Sequence, residues 1–437
     1  MQYELAYGTS RLSFTLPDNI KPAIIKPCSK KGLADPLGET RRVLRKPVGT
    51  RALLDMLRAK KPQTVIVVVN DITRPTPYDV LFPPLLEIFA EASIKDEQVT
   101  LLIATGIHAP HTDAQNLEVY GEEITRRFKI INHNAFDEAN LVKLSVFKSG
   151  YEFIVNRMAV EADFLITLGV VMPHYFAGYS GGRKSILPGL AAKGTVEKNH
   201  ARMVEIMDAL PPIDKNPVSN EMIEAAQQVG VDFILNVVTN EAKEVVFVAA
   251  GEVHAAWRKA VDVSASMYEA PFDRQVDIAV TCAGGRPRDI NVYQAQKALD
   301  HADRITRSDG AIILAAECPD GFGEDVFEEW IRRRWEPAKV MRAIKADFVL
   351  GGHKAYGFAK VANEKEVYLV SSLTADESSF IWTKKIANVQ AAVDAVIAKY
   401  GTDASWAYLP DGSLALPVDG EANKKEDIIG PNPFVSV

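Results

Sequence analysis

The chain has 437 residues, 47% hydrophobic and 24% charged, with a formal net charge of −7 and a pI near 5.7. That length is ample for two or three domains with proper cores, and an acidic balance without any run of five Lys/Arg excludes the clustered basic face of a nucleic-acid binder. Cys28, Cys282 and Cys318 form no C-x-x-C, which excludes a disulfide framework or a thiolate zinc site and suits a reducing, cytoplasmic setting.

In chain order, short runs rich in β-branched residues alternate with helical patterns. Thr64–Val69, Val99–Ala104, Asp163–Leu168, Phe233–Val238, Asp277–Cys282, Ala311–Ala316 and Phe348–Leu350 read as strands. Most are apolar throughout, the pattern of strands buried on both faces. None approaches the ~20 residues that span a bilayer, and the amino terminus lacks the apolar core of a signal peptide. Between the strands, Leu85, Leu86 and Phe89 recur at helical spacing, and Val253, Ala256, Trp257, Ala260 and Val261 share one stripe. The alternation predicts an α/β fold of two domains with largely parallel sheets, the active site expected in the cleft between them. A boundary within Ser264–Arg274 gives an N-terminal α/β domain over 1–268 and a C-terminal α/β domain over 275–410. A tail rich in Pro, Gly and charge follows over 411–437.

Ligands of parallel sheets gather at the carboxyl ends of strands, and the unusual residues fall there. The strand ending at Val69 runs into Asp71-Ile72-Thr73-Arg74-Pro75. The strand ending at Ala104 runs into Gly106-Ile107-His108-Ala109-Pro110-His111-Thr112, and the one ending at Leu168 leads to His174 and then Gly178–Ser185. The last stretch superficially matches G-x-x-x-x-G-K-[ST], but Arg183 stands where a P-loop has glycine and the loop lies too far from its strand. Its glycines still imply a close backbone approach, for which a phosphate is a reasonable guest. Pro110 argues against a helical His108/His111 pair, although His108, His111 and His174 together remain a candidate zinc-hydrolase site. His133, His254 and His353 read as surface or loop residues. In the second half, Tyr293, Gln294, Lys297 and His301 follow helical spacing near a helix start at Val292, where the macrodipole favours a carboxylate.

Together these segments resemble the lactate racemase family, the nickel-pincer-dependent racemases and epimerases of 2-hydroxy acids. The matching pieces are Asp71–Pro75, Gly106-Ile107-His108 with Thr112, His174, Gly181–Gly189, Asn199-His200 and Tyr293–Lys297. The resemblance implies an isomerase inverting C2 of a lactate-like, malate-like or sugar acid by reversible hydride transfer. It implies a nickel-pincer nucleotide, nickel pyridinium-3,5-bisthiocarboxylic acid mononucleotide, tethered at Lys184 with His200 on the metal. Asp71, Thr73 and Arg74 would bind its nucleotide part or the substrate end. His108 and His174 would be the paired acid/base residues, and Tyr293, Gln294 and Lys297 would hold the substrate carboxylate. The implied partners are the small substrate and cofactor maturation proteins, with no nucleic acid and no membrane; a homo-oligomer is compatible with all of this. Two departures bear on the substrate: Ala109 stands where the family often has Arg, and the aromatic over the cofactor is either Tyr356 or Phe358. Arg286 and Arg288 widen specificity toward a dicarboxylate or are solvated. A non-catalytic phosphate- or nucleotide-binding protein is the remaining alternative.

Overall fold

The computed structural model describes residues 1–207 and 210–419, which divide into two compact units. One unit spans Ser29–Met267 and carries a six-stranded sheet. Its order is Val245–Gly251, Phe233–Thr239, Phe164–Val170, Val65–Asn70, Val99–Ala104, Lys129–Asn132. All pairings are parallel except that of the first two strands. Phe164–Val170 and Phe233–Thr239 are buried at every position, as expected when both faces of a parallel sheet are covered. Val65–Asn70 lies between Val99–Ala104 and Phe164–Val170, so the loops that follow these three neighbouring strands leave the same edge of the sheet.

The other unit holds a second parallel sheet, ordered Lys384–Lys385, Glu366–Val370, Thr306–Ala315, Val276–Cys282, Trp406–Leu409, Ala23–Ile24. Here the expected domain limits need correction. Met1–Cys28 belong with the chain from Tyr268 on, not with the unit that follows them. The hairpin Gln2–Tyr7/Ser10–Thr15 places Leu5 and Phe14 in one core with Ile278, Val280, Ile313 and Trp406. A two-residue edge strand and a hairpin buried on one face leave no long apolar run to read. Phe348–Leu350 is likewise no strand but the link between helices Pro337–Ala346 and Gly352–Glu364; the parallel strand is Glu366–Val370. Part of the expected tail is structured, since Leu416–Asp419 pairs with Glu269–Phe272; residues 420–437 lie outside the described residues.

Several histidines are not where their spacing suggested. His133, expected at the surface, is buried, with Nε2 3.1 Å from the Ala191 carbonyl and Nδ1 3.1 Å from Asn156 Nδ2. His353 is buried too, accepting the Gly351 amide on Nδ1, and His254 is partly buried. His301 turns from the face of Lys297 into the second unit, its Nδ1 2.6 Å from the Gly412 carbonyl. Among the described residues, no helix is long and apolar enough to cross a membrane.

Burial pushes the His133 and His301 imidazoles down to about 4. Both therefore stay neutral at acidities where the unfolded chain, with histidines near 6.5, takes up protons. Their stabilisation is complete above about pH 6.5 and is lost as pH falls toward about 4, by about 1.4 kcal/mol per pH unit for each group. Urea unfolding of the wild type at about pH 7 and about pH 5 should show that loss, and His133→Gln with His301→Gln should flatten it.

Candidate active site

The first loop is organised around Asp71, which is 5% exposed. Thr73 donates to its Oδ1 through both the amide and Oγ1. His108, from the neighbouring strand end, lies with Nδ1 2.7 Å from Asp71 Oδ2. Burial works against the Asp71 carboxylate, but His108 and Thr73 hold its pKa below the usual value. An ionised Asp71 accepts, so the His108 ring carries its proton on Nδ1 and presents Nε2 as an acceptor from a half-exposed side chain. Thr73 and Arg74 are exposed beside it. The expectation had Asp71 touching nucleotide or substrate; its oxygens are engaged by Thr73 and His108.

His174 and Gly178 pair in a short hairpin that brings the third loop back over the sheet edge. The glycines of this loop serve packing. A Cβ on Gly182 would meet the Trp257 ring at 2.9 Å, and one on Gly181 would meet Val171 Cγ2 at 2.5 Å. Gly182 donates its amide to Asn236 Oδ1. These close approaches are to protein, which removes the reason to seat a phosphate there. Beside them the Arg183 guanidinium, 1% exposed, donates to the carbonyls of Tyr179 and Ala177 and to Ser219 Oγ. It lies 3.7 Å from the centre of the Trp257 ring, a contact that helps hold a desolvated cation.

Lys184 Nζ lies 3.1 Å from His174 Nε2 and 5.4 Å from the centre of the Phe176 ring. Desolvation and the charges of Arg183 and Arg74 push its amine well below the ordinary lysine range. The Ala177 amide donates to His174 Nδ1 at 3.4 Å, and the donor in the Nε2–Lys184 contact depends on the ring's tautomer. Phe176 packs edge-on against both His174 and His200, at 4.7 and 4.9 Å. His200 sits near the end of helix Lys193–Ala201, 8% exposed, its pKa pushed down to about 3 by burial and by Lys184. Its Nδ1 is buried without a hydrogen-bond partner. A neutral imidazole with such a nitrogen has the chemistry of a metal ligand. The helix is anchored by Asn199, which donates to the buried Glu221 at 2.8 Å.

In the other unit, Tyr293, Gln294 and Lys297 occupy the first turns of helix Val292–Ile305. Lys297 is exposed and donates to Gln294 Oε1 at 3.0 Å. The helix start is not an open anion site: the amides of Val292, Tyr293 and Gln294 are taken by the Gly321 carbonyl, the Phe322 carbonyl and Asn291 Oδ1. Any anion there depends on side chains. Behind Tyr293 lies the buried Lys354, which donates to Gln296 Oε1 at 2.8 Å and whose pKa burial lowers to about 7. Tyr356 and Phe358 are both buried, Phe358 stacking on Phe327; the aromatic that touches Lys184, His174 and His200 is Phe176. Arg288 is ion-paired with Asp411, whereas Arg286 is exposed.

The candidate zinc site does not form. His111 is buried, accepts the Ile72 amide on Nε2 at 2.7 Å and places Nδ1 3.2 Å from Asn116 Oδ1. Both ring nitrogens are spent, and among the described residues no three His, Cys, Asp or Glu side chains are grouped to hold a metal. Sequence reasoning missed Phe176, Trp257, Asn236 and Lys354; only Phe176 had a local signal, two residues after His174. With its pKa pushed down, Lys184 should be the fastest lysine to react when the protein meets limiting acetic anhydride at about pH 8, ahead of exposed lysines near 10.4. Peptide mapping reads the order of labelling.

Residues 7–209 match the lactate racemase N-terminal domain and residues 273–416 the lactate racemase C-terminal domain. The chain is 34% identical over 345 residues to the lactate racemase of Thermoanaerobacterium thermosaccharolyticum, covering 78% of this chain and 80% of that one. It is 31% identical over 380 residues to the lactate racemase of Lactiplantibacillus plantarum, covering 84% and 87%. Its fold matches the lactate racemase apoprotein from T. thermosaccharolyticum with a TM-score of 0.87 at 28% identity, covering 96% of this chain and all of that one. A Thermotoga maritima protein at 20% identity and a TM-score of 0.63 shares the fold. The chain belongs to the lactate racemase family, a family of isomerases.

Proposed function

We propose that this protein racemises or epimerises a 2-hydroxy acid at C2, with lactate, the substrate in the names of both relatives, as the first candidate. The observation that carries the reading is the placement of two histidines on loops that leave the same edge of the sheet. Asp71 holds the His108 proton on Nδ1 and leaves Nε2 bare, and His174 turns Nε2 toward Lys184. Two imidazoles so placed would take a hydroxyl proton at one ring and give one at the other. Either enantiomer of a substrate needs both acts in turn.

The donor set fits the nickel-pincer nucleotide. Lys184, with a neutral amine, would tether the group, His200 would ligate nickel, and Thr73 and Arg74 would face the nucleotide part. When bound, the group would supply a reversible hydride acceptor for the C2 hydrogen, which avoids forming a carbanion beside an ionised carboxylate. His108 Nε2 would hold the hydroxyl proton at one face, and His174 would return a proton to the same oxygen from the other. Phe176 packs against His174 and His200 and keeps the Lys184 side chain in apolar surroundings. A carboxylate that meets helix Val292–Ile305 would be bound through the Lys297, Gln294 and Tyr293 side chains. The proteins that build and load the nucleotide are the implied partners.

In loaded enzyme, His108→Ala or His174→Ala should each cost about 10²–10⁴-fold in kcat, the usual worth of a positioned acid or base. Chiral analysis of lactate checks this; wild-type rates in both variants would refute the roles. Co-expression with the maturation proteins should add mass to the denatured chain, and Lys184→Ala should abolish the adduct. Intact-mass spectrometry decides between a tether and none.

A further inference from the structure

His111 and its contacts lie outside the chemistry just described, yet they reach it at one point. The Ile72 amide, one peptide beyond Asp71, donates to His111 Nε2 at 2.7 Å. On the other side of that peptide, Asp71 Oδ2 engages His108. His108 and His111 stand three residues apart on one loop, so that loop grips the Asp71 segment twice. The His111 end of the grip is rigid. Its amide donates to Asn132 Oδ1 at 2.8 Å, Asn132 Nδ2 donates back to its carbonyl at 3.1 Å, and its ring stacks on Tyr120 at 6.0 Å. Tyr120 in turn donates to the Asn70 carbonyl at 2.7 Å, next to Asp71 in sequence.

The arrangement requires one tautomer. Ile72 can donate only if Nε2 is bare, so the ring proton must sit on Nδ1, where Asn116 Oδ1 accepts it at 3.2 Å. Asn116 is itself buried on helix Asp113–Tyr120, 8% exposed. A buried imidazole with both nitrogens committed is a fixed strut. What it fixes is the distance between the Asp71 carboxylate and the His108 ring, hence which nitrogen of His108 carries the proton.

We propose that His111 is a positioning residue for the acid/base pair: with Asn116 it locks the Asp71 loop so that Asp71 holds the His108 proton on Nδ1 and leaves Nε2 free for the substrate hydroxyl. The inference rests on the role given to His108 above, but its structural half is measurable without cofactor or turnover.

Three variants test it. His111→Phe keeps the ring against Tyr120 and removes the acceptor. His111→Gln returns an acceptor oxygen near the position of Nε2. Asn116→Ala leaves His111 in place and removes the acceptor of its Nδ1 proton. The first readout is the ¹⁵N shifts of the His108 ring in unloaded protein, which report where the proton sits. Wild type should show the Nδ1–H form, His111→Phe a mixture of tautomers, His111→Gln a return toward wild type, and Asn116→Ala an intermediate state. The second is turnover in loaded enzyme. A small misplacement of the reacting groups should lower kcat about 10- to 100-fold in His111→Phe, with KM within about twofold because substrate binding is untouched. His111→Gln should recover most of the loss.

An unchanged His108 tautomer in folded His111→Phe overturns the proposal whatever the rate. Equal loss in Phe and Gln variants also overturns it, since that pattern marks a packing role. If His111→Phe does not fold, Asn116→Ala decides alone: a His108 ring still wholly in the Nδ1–H form refutes the lock. Should the tautomers shift as expected while no 2-hydroxy acid turns over in the loaded wild type, the lock stands and the catalytic reading fails.

Discussion

The arrangement of three parallel strands governs everything else in the candidate site. Val65–Asn70 pairs with Val99–Ala104 on one side and Phe164–Val170 on the other. Parallel pairing sends the chain out of all three at the same edge, so Asp71, His108 and the loop bearing His174 and Lys184 emerge side by side. The strands are mostly apolar and largely buried because both sheet faces are covered. That burial, which carries no chemistry, is what places the chemistry.

Charge is managed in the site mostly by removing water. Arg183 is buried without solvent to stabilise it, so carbonyls, the Ser219 hydroxyl and the Trp257 face do the work that water would do. The loss of solvation, together with the fields of Arg183 and Arg74, pushes the Lys184 amine well below the ordinary lysine range. His200 is disfavoured as a cation chiefly by its own burial. A chain of desolvated bases follows, each nucleophilic or ligating at neutral pH and none needing a carboxylate beside it. Asp71 is the counter-example: its two hydrogen-bonding partners outweigh its burial and keep it ionised.

Much of this was legible in the residues. The strands Val65–Asn70, Val99–Ala104, Phe164–Val170, Phe233–Thr239 and Val276–Cys282 declared themselves as mostly apolar runs without alternation, and the loops after the first three drew attention through Asp, His, Arg and Lys at strand ends. The glycine loop was legible as a close approach but not as an approach to Trp257, which comes from a helix some seventy residues away. His301 illustrates the limit of periodicity: it shares helical spacing with Lys297, yet a carbonyl at Gly412 draws it into the interior. Spacing names a stripe on a helix and says nothing of what the edge of that stripe packs against.

The sequence by itself determined the fold class and the family, because hydrophobic period and motif order are local or one-dimensional properties. The tertiary structure decided three other matters. It joined the first 28 residues to the second unit through the hairpin's one buried face. It turned His111 from a candidate metal ligand into a hydrogen-bonded strut. It lowered the Lys184 pKa by desolvation and by the charges of Arg183 and Arg74, and it set the Asp71 carboxylate against His108 Nδ1. Proton positions depend on the few ångströms around each nitrogen, and residues far apart in sequence supply those surroundings only once the chain has folded.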